Sequence, residues 1–175
     1  MQYTVAWYNA IPNVLWSVLN LLPVSVFCYW FLPLKLLLVF LGISFLTVLL
    51  PKAFFYNIQL GQTTAVYRKI GVGFINKFTQ NGEIINKLIR KRYPAYKVVS
   101  GSKRSVAKVL GQTFMFEKFH FLLFVFFGLV MVYALVNNYL GWALVLFITN
   151  ILYNIYPCLL QQYIRVRLSS AIKRE

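Results

Sequence analysis

The sequence predicts an all-α integral membrane protein with four transmembrane helices arranged as two hairpins. The 175 residues are 60% hydrophobic and 18% aromatic, and their mean hydropathy of +0.67 exceeds that of ordinary soluble domains. The apolar residues are concentrated in two blocks, 11–51 and 119–160. Each block is about twice the roughly 20 residues that a helix needs to cross a bilayer, so each predicts a pair of spans.

The first block predicts spans at 11–31 and 34–50. Pro33 and Lys35 stand between them, and a proline removes a helical hydrogen bond and clashes with the preceding turn. We therefore expect the first hairpin to turn at this point.

The second block predicts spans at 119–137 and 140–160. Asn137, Asn138 and Gly141 interrupt its apolar residues, and asparagine and glycine are typical of turns. The two hairpins enclose a connecting segment, 51–118, and are followed by a tail, 161–175.

The positive charges predict the orientation of this single membrane domain. Of 18 Lys and Arg residues, 13 lie between Lys52 and Lys118 and four follow residue 164, whereas the chain has only three acidic residues. Because positively charged loops stay on the cytoplasmic side, we expect the connecting segment and the tail to be cytoplasmic. Four spans then place the N-terminus there too.

The net charge of +15 also predicts the kind of partner. A basic segment held between two hairpins lies within a Debye length of the membrane surface, where anionic lipids attract it. We therefore expect the partners to be membrane lipids of an anionic leaflet, and no nucleic acid.

A basic amphipathic helix is predicted within the connecting segment. Its apolar residues recur at helical spacing, and basic residues occupy the rest of its surface. The apolar positions are Ile84, Ile85, Leu88 and Ile89. Pro94 ends this helix, Ser100, Gly101 and Ser102 form a loop, and a further helix begins near Ser102 and continues into the third span.

Polar residues follow one face of each span of the second hairpin. Thr113, Glu117 and His120 are spaced by four and three residues, which puts them on one side of a helix. On the fourth span, spacings of four, seven and four residues again align one face, which carries Asn150, Asn154, Gln161 and Arg165. Since antiparallel neighbours bring these faces to similar depth, and ionisable groups are costly in a membrane, they form a candidate functional site.

This set of side chains suits acyl transfer. A neutral histidine takes the proton of a hydroxyl as its oxygen attacks a carbonyl, a carboxylate orients the imidazole, and amides or arginine stabilise the oxyanion. No Ser or Cys nucleophile with a matching base is apparent, so direct transfer is the simpler scheme. No metal is expected, because the only histidine has no second His or Cys cluster to complete a ligand set.

A purely structural interpretation stands beside the catalytic one. Glu117 would pair with Lys118 or a loop arginine, His120 would anchor the helix at the interface, and the asparagines would join helices through hydrogen bonds. Spacing alone does not choose between the two.

The chain resembles the glycosyl-4,4'-diaponeurosporenoate acyltransferase family over roughly residues 55–168. The resemblance rests on the central segment YRKIGVGFINKF, an E-x-x-H before the last hairpin, and the closing motif NIYPCLLQQYIRVRL. The matching positions are Glu117 and His120 in the first motif, and Asn154, Pro157, Gln161, Tyr163, Arg165, Arg167 and Leu168 in the second. Gln162 stands where the family usually has Arg, Ile164 where it has Asn, and Val166 where Pro is common.

The resemblance implies a bacterial enzyme of the cell (inner) membrane that moves a fatty acyl group to a hydroxyl of a lipid or glycolipid acceptor, such as a carotenoid glycoside. It implies catalysis by His120 and Glu117, without a cofactor, with an acyl donor such as acyl-CoA as cosubstrate. The residues expected to bind substrate are Thr113, Asn154, Gln161, Tyr163, Arg165 and Arg167. The alternatives are a non-enzymatic membrane subunit or lipid-binding scaffold, and a small membrane reductase or methyltransferase.

Overall fold

All regular elements in the described part of the chain are helices. The computed structural model describes residues 2–80, 82–96 and 103–172. The predicted all-α class is therefore confirmed for these ranges. The predicted loop at Ser100, Gly101 and Ser102 lies outside the described residues.

Nine α-helices are described, and three short segments of tighter or wider helix accompany them. The α-helices are α1 (Gln2–Phe31), α2 (Leu34–Leu46), α3 (Lys52–Asn57), α4 (Thr64–Lys69), α5 (Val72–Ile75), α6 (Glu83–Arg92), α7 (Lys103–Val136), α8 (Leu140–Asn150) and α9 (Tyr156–Ile172). The short segments are 3₁₀ turns at Thr47–Leu49 and Asn76–Phe78 and a π-helical turn at Ile151–Ile155. The π turn joins α8 to α9 without a break.

Three helical stretches are long and apolar enough to cross a membrane, and they indicate a membrane protein. They are Tyr3–Phe31, Ser105–Val136 and Leu140–Ser169. The apolar helix at Leu34–Leu49 is shorter, and the arrangement of four spans as two hairpins stays a prediction.

The long helices extend past the predicted spans. Helix α1 begins at Gln2 instead of residue 11, since residues 2–11 contain no Gly or Pro that would stop a helix. Helix α7 begins at Lys103, close to the start expected near Ser102. The last helical stretch, made of α8, the π turn and α9, continues through the predicted end at residue 160 to Ile172.

The helices are interrupted at both positions where a turn was predicted. Pro33 precedes the first turn of α2 and its carbonyl accepts a hydrogen bond from the backbone N–H of Leu37 (3.0 Å). Between α7 and α8, Asn138 adopts a left-handed conformation with φ 60°, which asparagine tolerates better than most residues. Gly141, which was expected in this turn, lies instead in the first turn of α8.

The chain forms two compact units, each made of segments distant in sequence. The first unit contains Met1–Trp16, Gln59–Thr113 and Leu159–Glu175, and the second contains Ser17–Ile58 and Phe114–Cys158.

In the first unit, hydrogen bonds join the start of α1 to the connecting segment. The Trp16 indole donates to the carbonyl of Phe78 (3.2 Å), and the Asn13 amide donates to the Gln80 side-chain oxygen (3.0 Å). Farther along, the hydroxyls of Thr4 and Tyr93 lie 3.3 Å apart.

Helix α6 confirms the predicted helix in the connecting segment. It ends at Arg92, two residues before Pro94, because a residue before proline disfavours helical geometry. Ile85 and Ile89 are buried, whereas Ile84 and Leu88 are about 40% exposed. The apolar face therefore has a covered and an open half, and its position at a membrane surface stays a prediction.

Aromatic rings fill one end of the second unit. The Phe27 ring is fully buried and contacts Phe31, Tyr139 and Trp142 at centroid distances of 5.2, 5.9 and 5.7 Å. The Tyr133 hydroxyl donates to the carbonyl of Phe31 (3.0 Å). These contacts fix the end of α1 against α7 and α8.

A lysine holds another part of this unit. The Lys118 ammonium donates to the carbonyl of Val48 (3.0 Å) and lies 6.0 Å from the centre of the Phe55 ring. It thereby satisfies a carbonyl at the end of the α2 segment, where helix carbonyls lose their partners within the helix.

Candidate functional site

Helix α7 carries a buried carboxylate in the second unit. Glu117 is 0% exposed, and a buried ionisable group in a membrane protein is retained only where it is paired or functional. The thiol of Cys158 donates to the backbone carbonyl of Glu117 (3.7 Å), so α7 and the segment after the π turn are in contact at this point.

One turn later along α7, the His120 imidazole packs against the π turn between α8 and α9. Its ring meets the Tyr153 ring edge-on, with centroids 5.5 Å apart and an interplanar angle of 82°. The Asn154 side chain and the Tyr153 backbone both lie near the imidazole. The Nδ1 atom itself is buried and has no well-oriented partner among the described residues.

Asn154 is fixed by a second amide. Its Nδ2 donates to the side-chain oxygen of Asn150 (2.8 Å), and Asn150 in turn donates to the backbone carbonyl of Phe124 on α7 (3.2 Å). Asn154 is fully buried, and its Oδ1 atom has no hydrogen-bond partner within the ranges that the structure describes. Two buried hydrogen-bond acceptors, His120 Nδ1 and Asn154 Oδ1, therefore lie near each other.

Sequence analysis missed Tyr153, which belongs to the same group. It is 7% exposed, lies in the π turn, and its hydroxyl is 2.9 Å from that of Ser17 on α1. Its spacing of three residues from Asn150 was the available signal, since it puts Tyr153 on the polar face. An aromatic residue in a membrane span more often packs against lipid or core, so that signal is weak. We call Glu117, His120, Asn150, Tyr153 and Asn154 the histidine cluster.

The remaining predicted site residues belong to the first unit. Thr113 is buried and its hydroxyl donates to the carbonyl of Leu110 within α7 (2.7 Å). Arg165 is 2% exposed, Gln161 is half-buried and Arg167 is exposed. Tyr163 is buried with its ring 6.2 Å from that of Tyr67.

Gln162, one of the departures from the family motif, lies in a buried hydrogen-bond network. Its side-chain oxygen accepts from the backbone N–H of Leu60 (3.1 Å) and from the hydroxyl of Tyr67 (3.3 Å). Tyr67 also accepts from the N–H of Gly61 (3.2 Å). Here the glutamine provides an acceptor that joins α9 to the loop before α4.

Helices able to span a membrane, together with a half-buried histidine, a buried glutamate and paired amides, define a class of membrane protein with a polar site among its helices. The model of the glycosyl-4,4'-diaponeurosporenoate acyltransferase family matches residues 51–174. The chain belongs to this family of acyltransferases of carotenoid glycolipid synthesis, as its motifs indicated. No curated protein and no solved structure matches the chain.

Proposed function

We propose that the protein is a membrane O-acyltransferase that moves a fatty acyl group to a hydroxyl of a lipid or glycolipid, with His120 as general base. One observation carries the proposal. A buried imidazole nitrogen and a buried amide oxygen, His120 Nδ1 and Asn154 Oδ1, lack partners among the described residues. Buried polar atoms are normally satisfied, so such a pair suits ligand groups that donate hydrogen bonds, and the acceptor hydroxyl is the one at the imidazole.

The chemistry then follows from simple proton transfer. In the neutral tautomer with its hydrogen on Nε2, the Nδ1 lone pair of His120 takes the acceptor's O–H proton as the oxygen attacks the acyl carbonyl. The new C–O ester bond forms and the C–S bond of the acyl thioester breaks. The leaving thiolate then takes the proton from the imidazolium, which returns His120 to its neutral form.

Other residues have supporting roles in this proposal. Glu117 orients His120 and stabilises the imidazolium, and Asn154 accepts from or donates to the reacting groups. Thr113, Gln161 and Tyr163 contact the acyl chain or the acceptor. Arg165 and Arg167, which carry permanent positive charge, bind the head group of the acceptor or the phosphates of an acyl-CoA donor.

The membrane arrangement that supports this function has four spans, with Leu34–Leu49 as the second. In this arrangement both termini and the basic connecting segment face the cytoplasm of a bacterial cell, where acyl-CoA is present. The anionic leaflet holds that segment. The acceptor is a carotenoid-glycoside-like lipid, which the family's activity supports.

The test replaces the histidine and uses its neighbour as a control. His120→Ala removes the base, whereas Phe119→Ala removes a ring that is 50% exposed at the same depth of α7. We expect lipidomics of cells producing the wild type or Phe119→Ala to show a lipid that is heavier by one acyl group. That lipid should be absent with His120→Ala at equal protein level.

A different outcome would favour the non-enzymatic alternative. If His120→Ala leaves the acylated lipid unchanged while it lowers co-purification of another membrane protein, the histidine cluster serves helix association. The catalytic assignment of His120 would then be wrong.

A further inference from the structure

Helix α1 reaches the histidine cluster through one hydrogen bond. The Ser17 hydroxyl lies 2.9 Å from that of Tyr153, a normal distance for such a bond. Tyr153 is almost completely buried, and an isolated buried hydroxyl is costly. The bond therefore fixes the outer end of the Tyr153 side chain.

The inner part of the same side chain contacts the imidazole. The edge-on arrangement of the two rings, at 5.5 Å and 82°, is a favoured aromatic geometry. A rotation of the Tyr153 ring would lose this contact or collide with His120. The orientation of the imidazole plane is thus coupled to the hydrogen bond at the far end of Tyr153.

The backbone at this position is also unusual. Tyr153 and Asn154 both lie in the π turn at Ile151–Ile155, and both side chains are buried. Such turns occur mostly as single insertions in α-helices and are frequent at functional sites. The π turn presents two neighbouring side chains to one imidazole.

We propose that Tyr153 and Ser17 are positioning residues for His120, so that α1 completes the candidate active site. Ser17 lies before the family match, which covers residues 51–174. The structural half of this proposal is that Tyr153 and Ser17 fix the orientation of the imidazole. The catalytic half is that this orientation is needed for turnover, and it rests on the proposed function. Neither residue transfers a proton.

The first experiment observes the imidazole directly and needs no activity. His120 is the only histidine of the chain, so ¹⁵N-histidine labelling of the full chain, purified through a histidine-free tag into lipid nanodiscs, gives the NMR signals of one ring. We expect one sharp set for the wild type. Tyr153→Phe and Ser17→Ala should each broaden or split it, because the ring loses its fixed partner.

Matched variants separate positioning from general loosening. Ser17→Thr keeps the hydroxyl and should restore the wild-type signals. Tyr133→Phe removes a tyrosine hydroxyl that bonds elsewhere in the same unit, and Ser44→Ala removes a buried serine hydroxyl that bonds within α2 (2.7 Å). Both controls should leave the His120 signals unchanged.

The second experiment measures turnover by the same nanodisc samples. Loss of one hydrogen bond predicts a fall in kcat of about 3- to 10-fold for Tyr153→Phe and for Ser17→Ala, with KM for the acyl donor unchanged. Since both changes break the same bond, the double variant should fall no further than either single one. Tyr153→Leu also removes the ring and should lose on the order of 100-fold, as misplaced catalytic groups do.

The two experiments have separable failures. Unchanged His120 signals in both Tyr153→Phe and Ser17→Ala overturn the positioning proposal, whatever the activity. Broadened signals with wild-type kcat support the structural half and overturn the catalytic half. If His120→Ala retains full activity, the proposed function fails, while the NMR result still decides whether Tyr153 positions the ring.

Discussion

Replacing Gln162 by leucine should destabilise the first unit. Leucine is one bond shorter than glutamine and has no acceptor atom, so the backbone N–H of Leu60 loses the oxygen that now lies 3.1 Å away. The Tyr67 hydroxyl is less affected, because it can donate to the carbonyl of Gly61 at 3.1 Å instead. The cost therefore comes mainly from one stranded N–H.

The size of this loss follows from the surroundings. A buried unsatisfied donor costs about 1–3 kcal/mol, and the lower half of this range applies because Leu60 is 51% exposed. For a chain of this length, about 1–2 kcal/mol lowers Tm by roughly 3–6 °C. Tyr67→Phe should cost about the same, since the N–H of Gly61 then loses its acceptor at 3.2 Å.

Thermal unfolding in one detergent, followed by far-UV circular dichroism, measures these differences. Gln161→Leu makes the same chemical change at the preceding, half-buried position and serves as the control. In the double variant of Gln162 and Tyr67, the two losses should overlap by about 0.5 kcal/mol, because their shared bond is long at 3.3 Å. A Tm for Gln162→Leu equal to that of the wild type would show that this hydrogen bond does not stabilise the first unit.

The same hydrogen-bond network explains why arginine, the residue usual in the family at position 162, does not suit this chain. Arginine has five donors and no acceptor. Gln162→Arg would leave the N–H of Leu60 unsatisfied and add a buried charge, so we expect a larger fall in Tm than for leucine. An equal or higher Tm would show that the guanidinium finds a partner that this structure does not provide.

Three further changes test contacts elsewhere. Tyr133→Phe removes a hydrogen bond to the last carbonyl of α1 (3.0 Å) and should cost about 1 kcal/mol, or roughly 2–4 °C in Tm; no change would show that water replaces it. Lys118→Met keeps the aliphatic stem but loses the bond to Val48 (3.0 Å) and the contact with an aromatic ring, so we expect a loss of about 1–2 kcal/mol in the same assay. The hydrogen bond and charge of Lys87, 2.8 Å from Glu83, lower the pKa of Glu83 from 4.5; protection of α6 from hydrogen exchange should therefore be full above pH 4.5 and weaken as the pH falls below it, whereas Glu83→Gln should abolish this pH dependence.

Much of the fold follows from local sequence signals. Proline and asparagine marked both turns because their backbone preferences act within a few residues. The ends of the long helices were less predictable. Apolar residues mark what a membrane covers, but a helix continues beyond them when no Gly or Pro stops it, as over residues 2–11 of α1.

The candidate site was predictable only in part. Helical spacing identified Glu117, His120 and Asn154 because a polar face in an apolar helix is conspicuous. The contribution of Ser17 was not predictable, since it is 136 residues from Tyr153 in sequence. Nor does a family match over residues 51–174 indicate which residue outside that range contacts it.

The position of one turn determines which residues of the hairpin meet. Asn150 and Phe124, which are hydrogen bonded to each other, lie equally far in sequence from Asn137. The same equality holds for His120 and Asn154, which lie near each other. Past the π turn the equality fails by one residue, because Cys158, which bonds to Glu117, is one position farther from Asn137 than Glu117 is.

That single residue is the insertion that a π turn makes in an α-helix. Asn150 directly precedes the π turn and Asn154 lies within it, and the two amides are hydrogen bonded to each other. The insertion therefore shifts the pairing at Glu117 relative to the pairing at His120. If Ile151–Ile155 formed a regular α-helical turn, that turn would contain one residue fewer. A different side chain would then lie against Glu117. The π turn thus sets which residues of the last helix accompany each member of the E-x-x-H pair.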